Sequence, residues 1–299
     1  YLDYLEKAQR ASGKPVFLVA NRQGSGADEL AISSTYQGLP VIDGVTQFLV
    51  GARCLLAYRD FQQRAVMKCD VTDQQKVDYW KRQLQDCDYV SESLASELLR
   101  DFGIPMIQSL EVSSLDELQT AVLNVGFPLV LKTAVQGIDH KTEVGGVILN
   151  ISDQPQLQDA YEDLLQRLGP AVTVAPMADN NGVEMILGVS RDEQFGPTVV
   201  VGFGGIYAEI LSDVAVMLPP FDSAEVKRVL KSLSMYPLLE GVRGGSPLDI
   251  DSYCDVAAKM SAIALALSDS VVEIDINPVR LGVKGCIGLD ALVVQEQKN

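Results

Sequence analysis

The single histidine of this 299-residue chain, His140, stands beside Lys141, eight positions after Lys132 and shortly before Gly145 and Gly146. An apolar run (128–132) ending in a lysine, a polar turn (133–137) and a small-residue loop form a hairpin. Such a hairpin can lay backbone N–H groups and two cations against a phosphate. A neutral imidazole among them is a competent nucleophile near pH 7, provided cations screen the phosphate oxygens. The same stretch also reads as a plain hairpin with surface lysines, and a lone histidine is more often a packed or exposed ring than a nucleophile.

Two other segments bear on that choice. In residues 271–278, Glu273, Asp275 and Asn277 alternate with Val272, Ile274 and Ile276, the pattern of a strand with one acidic face. Gly282-Val283-Lys284-Gly285 signals a tight turn before a second strand over 286–294. With Val283 and Lys284 as the two loop residues, Asn277 faces Asp290 with side chains about 5 Å apart. Two such oxygen donors suit Mg²⁺, which takes one or two side-chain ligands plus phosphate and water. An acidic solvated face of an edge hairpin is the other reading, and Pro278 leaves the register open. The strand 171–177 ends in a Pro176-Met177 turn whose backbone groups and thioether suit a flat heteroaromatic edge. Glu184, just beyond, is placed to accept hydrogen bonds from sugar hydroxyls.

These groups need elements to hold them. The apolar run 16–20, a short helix to about residue 37, a second strand at 38–41 and helical periodicity over 45–60 predict a parallel sheet in residues 1–65. Two strands are too few for a free-standing domain. This part is therefore expected to be the end of a doubly wound unit, in a fragment of a longer protein that starts at Tyr1 without Met. Residues 66–90 are polar and read as a linker with a helical part. Ser91 or Ser93 caps a helix running to residue 101, and a second helix covers 114–125. Strands and helices then alternate to the end, so 91–299 is read as the second domain.

Asp plus Glu is 40 against 24 Lys plus Arg, a formal charge of −16. That field repels nucleic acid and anionic membrane, and both are excluded as partners. Five scattered cysteines without C-x-x-C spacing fit free thiols in a reducing cytoplasm rather than a zinc site or disulfides. No run of 18 apolar residues and no signal peptide is found.

Taken together, PLVLKTAVQGIDHKTEVGGVIL (128–149), GVEMILGVSRDEQFGP (182–197), VVVGFGGIYAEILSDVAVMLPP (199–220), GVRGGSPLD (241–249) and EIDINPVRL (273–281) resemble a known family. In order and kind they are similar to the ATP-grasp domain of nucleoside-diphosphate-forming acyl-CoA synthetases, relatives of succinyl-CoA synthetase. The first 65 residues resemble, more weakly, the end of that family's CoA-ligase subdomain. The resemblance implies an α/β chain: an ATP-grasp fold of two α+β subdomains clasping the nucleotide, preceded by an incomplete flavodoxin-like subdomain. It implies Lys132 and Lys141 on the ATP phosphates, with Gly145 and Gly146 in the phosphate loop. Val174, Ala175 and Met177 would lie at the adenine and Glu184 at the ribose. Gly204, Gly205 and Glu209 would line the cleft, with Arg243 facing phosphate. Asn277 and Asp290 would hold Mg²⁺, and His140 would accept the γ-phosphate. Where the family often carries an arginine, this chain has Met217.

The reaction so implied joins an acid to CoA with ATP giving ADP and phosphate, by way of phosphohistidine. CoA and an acyl phosphate would be partners through domains absent here, and a homo-oligomer is left open. Two alternatives stand beside it: another ATP-grasp carboxylate ligase, which needs no histidine, and a nucleotide-sensing regulatory module of a protein acyltransferase.

Overall fold

The computed structural model describes residues 2–21, 28–63, 73–138, 141–179, 181–205, 211–242 and 244–296. His140, Glu209 and Arg243 lie outside the described residues. The chain divides into two compact units, Tyr1–Val66 and Met67–Asn299.

In the first unit, α1 (Leu2–Ser12) precedes β1 (Leu18–Ala20), α2 (Glu29–Tyr36), β2 (Val41–Asp43) and α3 (Val45–Gln62). The two strands pair in parallel, Leu18 with Val41 and Ala20 with Asp43, as alternating segments require. Asp28 caps α2 by accepting from the N–H groups of Leu30 and Ala31.

The larger unit begins with α4 (Gln74–Asp86), followed by α5 (Glu92–Asp101). In α4, Val77, Trp80 and Leu84 recur at helical spacing and are buried in the main core, and Trp80 Nε1 donates to Asp101 at 2.8 Å. The helical part of the stretch read as a linker thus packs as a core element of this unit. Composition hid it, because three buried side chains suffice to dock a helix whose other faces are polar. Ser91, not Ser93, is the cap of α5, accepting from the N–H of Leu94 at 3.3 Å.

Two antiparallel sheets follow. The first is built from β3 (Leu110–Val112), β4 (Leu129–Thr133), β5 (Val147–Ile151) and β6 (Val172–Pro176), in the order β3-β6-β4-β5. Helices α6 (Leu115–Val125) and α7 (Gln154–Arg167) cover one face, where Leu129, Leu131, Val172 and Val174 meet Leu118, Leu157 and Leu164. The alternation of a strand sends Val130, Lys132 and Ala175 to the other face.

The second sheet contains β7 (Val183–Asp192), β8 (Gly196–Phe203), β9 (Val214–Met217), β10 (Val271–Leu281), β11 (Cys286–Gly288) and β12 (Ala291–Gln295). Helices α8 (Ser223–Leu230) and α9 (Ile250–Ala266) share its core with α4 and α5. Each half is thus an α+β layer pair, as the sequence led us to expect. Gly288 ties the halves together: its N–H donates to Pro105 O at 2.8 Å, and its carbonyl accepts from Ile107 at 2.9 Å. A Cβ there would lie 2.4 Å from Met106 Sδ and 2.7 Å from Ile276 Cγ2, so only glycine permits the approach.

Burial makes a chemical statement about the free cysteines. Cys54 is exposed, whereas Cys254 and Cys286 are buried, and burial pushes the Cys254 thiol up to about 12. At pH 8 only about one Cys254 in ten thousand is thiolate. Alkylation followed by peptide mapping should label Cys54 in the native protein, and Cys254 and Cys286 only after unfolding. Native labelling of Cys254 at the rate of Cys54 would contradict this packing.

Candidate functional site

A cavity of about 400 Å³ opens between the two sheets, within the size range of small-molecule sites. Its apolar wall is made by Val130, Val147, Leu149, Ala175, Met177 and Leu289, and its polar side by Lys132, Glu184, Asn277, Arg280 and Asp290. The geometry suits a ligand with a flat apolar end and a charged end.

The charged end is a closed network. Lys132 Nζ donates to Asp290 Oδ2 at 3.1 Å, to Glu92 Oε1 at 3.2 Å and to the Leu289 carbonyl at 2.8 Å. Lys141 Nζ donates to Glu92 Oε2 at 2.5 Å and to Asp290 Oδ1 at 3.2 Å. Two cations therefore share two carboxylates, and the cluster is neutral. Burial lowers the Lys141 pKa, but the charges of Asp290 and Glu92 outweigh it, and the net shift is upward. Glu92 was not legible as a site residue. It is the first residue of α5, where an acidic side chain reads as an ordinary partner of the helix dipole.

The hairpin carrying Asn277 has the register that a Val283-Lys284 loop dictates. Ile276 pairs with Ala291, and Val279 with Gly288, while Gly282 N–H bonds to Gly285 O. Asn277 therefore stands opposite Asp290. Both strands also change phase at this point: Ile274 and Ile276 are buried before it, Val279 and Leu281 after it. Asn277, Pro278, Leu289 and Asp290 consequently all line the cavity. An amide oxygen facing a carboxylate is a hard-donor pair that fits Mg²⁺. Among the described residues no group of three acidic, histidine or cysteine side chains converges, so phosphate or water oxygens must complete any shell. The surroundings suit a cation. Burial pushes the Asp275 carboxyl above its ordinary range; a hydrogen bond with Asn277 opposes this, and the charges of Glu273 and Asp290 add to it.

Other expected residues divide. Ala175, Met177 and Glu184 line the cavity, but Val174 does not. Its side chain is fully buried under the helices, and it pairs with Leu110 on one side and Leu131 on the other. An inner strand buried on both faces gave little sign of which face met the cleft. The Met177 N–H already donates to Pro128 O at 2.9 Å, so it is not a free donor for a ring edge. Gly145 N–H and Gly146 N–H bond to Thr142 O and Lys141 O, so they close their own turn rather than point at a ligand. Arg167 fixes that turn by donating to the carbonyls of Val144 and Gly145. Gly204 N–H donates to the Glu184 carbonyl at 2.8 Å, and Gly205 lies against the Glu184 carboxylate. Met217 is buried in the main core.

Removing one member of a buried ion network leaves its partners uncompensated. Glu92→Leu should cost about 3 kcal/mol in urea unfolding. Adding Lys141→Met should return more than about 1 kcal/mol of that loss, a coupling that a double-mutant cycle measures directly. Strict additivity would show the two groups to be independent.

Residues 83–294 match the family described as the ATP-grasp domain. The chain is 33% identical over 213 residues to the beta subunit of acetate–CoA ligase (ADP-forming) I of Pyrococcus furiosus, covering 68% of this chain and 90% of that subunit. It is 34% identical over 218 residues to a trans-feruloyl-CoA synthase from an unknown prokaryotic organism. That match covers 70% of this chain and only 31% of the relative. A dinucleotide-forming acetyl-coenzyme A synthetase of Ca. Korarchaeum cryptofilum, solved with coenzyme A and Mg-AMPPCP, aligns with a TM-score of 0.64 at 29% identity. The alignment covers 75% of this chain and all of that one. With its two α+β halves around one polar cleft, the chain belongs to the ATP-grasp family, as a homologue of the beta subunits of ADP-forming acetate–CoA ligases.

Proposed function

We infer that this chain is the ATP-binding and phosphotransfer part of an ADP-forming acyl-CoA synthetase. The observation that carries the reading is the pair of lysines, Lys132 buried and Lys141 half-buried, shared with Asp290 at the polar end of a largely apolar cleft. The base would lie against Val130, Ala175 and Met177, with Glu184 accepting from the ribose. Lys132 and Lys141 would meet the phosphates, and Asn277 with Asp290 would hold Mg²⁺, which when bound supplies charge neutralisation of the phosphate oxygens. Arg243, Glu209 and His140 receive their roles from the resemblance alone: phosphate contact, cleft lining and phosphate acceptance.

The step assigned to His140 balances simply. A neutral imidazole nitrogen forms the N–P bond as the bond from the γ-phosphorus to the β,γ-bridging oxygen breaks, and ADP leaves. The relatives named above include CoA ligases, and the solved Korarchaeum protein is described with a phosphohistidine segment pointing towards its nucleotide-binding site. Delivery of that phosphate to an acid, and transfer of the acyl group to CoA, would require domains beyond this chain. Its acidic surface and free thiols suit a reducing cytoplasm, and no described helix is long and apolar enough to cross a membrane.

Incubation with Mg-[γ-³²P]ATP should label the chain with acid-labile phosphate at His140, and His140→Ala should abolish labelling while ADP still binds. Lys132→Met should weaken nucleotide binding at least tenfold, and Asp290→Asn should raise the magnesium requirement by a similar factor. Tight nucleotide binding without any labelling would favour the sensing module instead.

A further inference from the structure

The change of phase in β10 has a second effect, three residues beyond Asn277. Had the strand continued regularly from Ile274 and Ile276, residue 280 would share their core face. The register against β7 shifts between Ile276 and Val279, and Arg280 emerges on the cleft side as the direct cross-strand partner of Glu184. Its Nη2 donates to Glu184 Oε1 at 2.9 Å, with the two side chains 17% and 36% exposed. Glu184 Oε2 lies where a Cβ on Gly205 would come within 2.3 Å, and Gly205 sits at φ +59°. One carboxylate oxygen is thus bound to a guanidinium, and the other lies over a residue whose missing side chain leaves room for it. Arg280 Nε is buried and has no hydrogen-bond partner among the described residues. Among the described residues its side-chain hydrogen bond is the one to Glu184, and its charge also acts on Asp179. Three residues of strand separate Arg280 from Asn277, about 10 Å, room for a phosphate chain between a sugar and a metal.

We propose that Arg280 is a positioning residue that sets sugar selectivity, by locking Glu184 in the one orientation that accepts from the ribose hydroxyls. The proposal rests on the reading of Glu184 as the ribose ligand. A free glutamate could turn toward water and satisfy itself whether or not the hydroxyls were present. Held by Arg280 it loses a charge-assisted hydrogen bond whenever they are missing.

The test is the ratio of affinities of the full chain for MgADP and for Mg-2′,3′-dideoxy-ADP, measured by calorimetry. Wild type should prefer the ribonucleotide at least tenfold. Arg280→Met should cut that preference to threefold or less while changing dideoxy-ADP binding less than threefold. Arg280→Lys, which keeps the charge but not the fork, should fall between and serves if the methionine variant does not fold. An equal loss for both nucleotides, or an unchanged preference in either variant, would overturn the role of Arg280. No preference in wild type would instead remove the Glu184 reading itself, and the proposal with it.

Discussion

The site depends on a neutral, partly buried quartet of charges where the two sheets of the larger unit meet. Lys132 comes from the central part of one sheet, Lys141 from the loop that follows, Glu92 from the start of α5 and Asp290 from the break between β11 and β12. Taking four charges out of water is costly, and their mutual attraction repays that only when the geometry is good. The quartet is therefore better understood as fixing relative position than as adding net stability. The backbone bonds of Gly288 to Pro105 and Ile107 hold the same seam. A cleft lined from both sheets can keep its shape only if that seam does not slide.

What was legible in the sequence follows the range of the forces concerned. The Asn277–Asp290 register was legible because a tight turn fixes a two-stranded ladder locally. A cap at Ser91 or Ser93 was legible for the same reason, since the contact from Leu94 N–H to Ser91 lies within three residues. Glu92 was not, because its partners lie 40 and 49 positions away and nothing in a helix's first turn announces them. The face reached by Val174 and the packing of α4 were settled by tertiary burial. The docking of residues 74–86 into the larger core follows from three side chains that composition averages away.

Some corrections sharpen the chemistry. Gly145 and Gly146 spend their N–H groups on their own turn, so these two groups offer no backbone cradle to an anion. That gives the two lysines more weight than the resemblance alone assigned them. The Met177 N–H is likewise engaged, and Val130 and Ala175 pack beside it as the apolar side of the cleft.

The overall charge of −16 makes the neutrality of the quartet significant. An anionic ligand approaching this chain meets an unfavourable field, and two unpaired lysines would be the simplest remedy. They would also be unstable when buried without counter-charges. Pairing them with Glu92 and Asp290 resolves the conflict, since each lysine keeps a partner before and after binding. A magnesium nucleotide would bring a cation for Asp290 and phosphates for the lysines, so binding would be an exchange of partners within the network. Glu92, which has no metal to turn to, would remain on the lysines throughout.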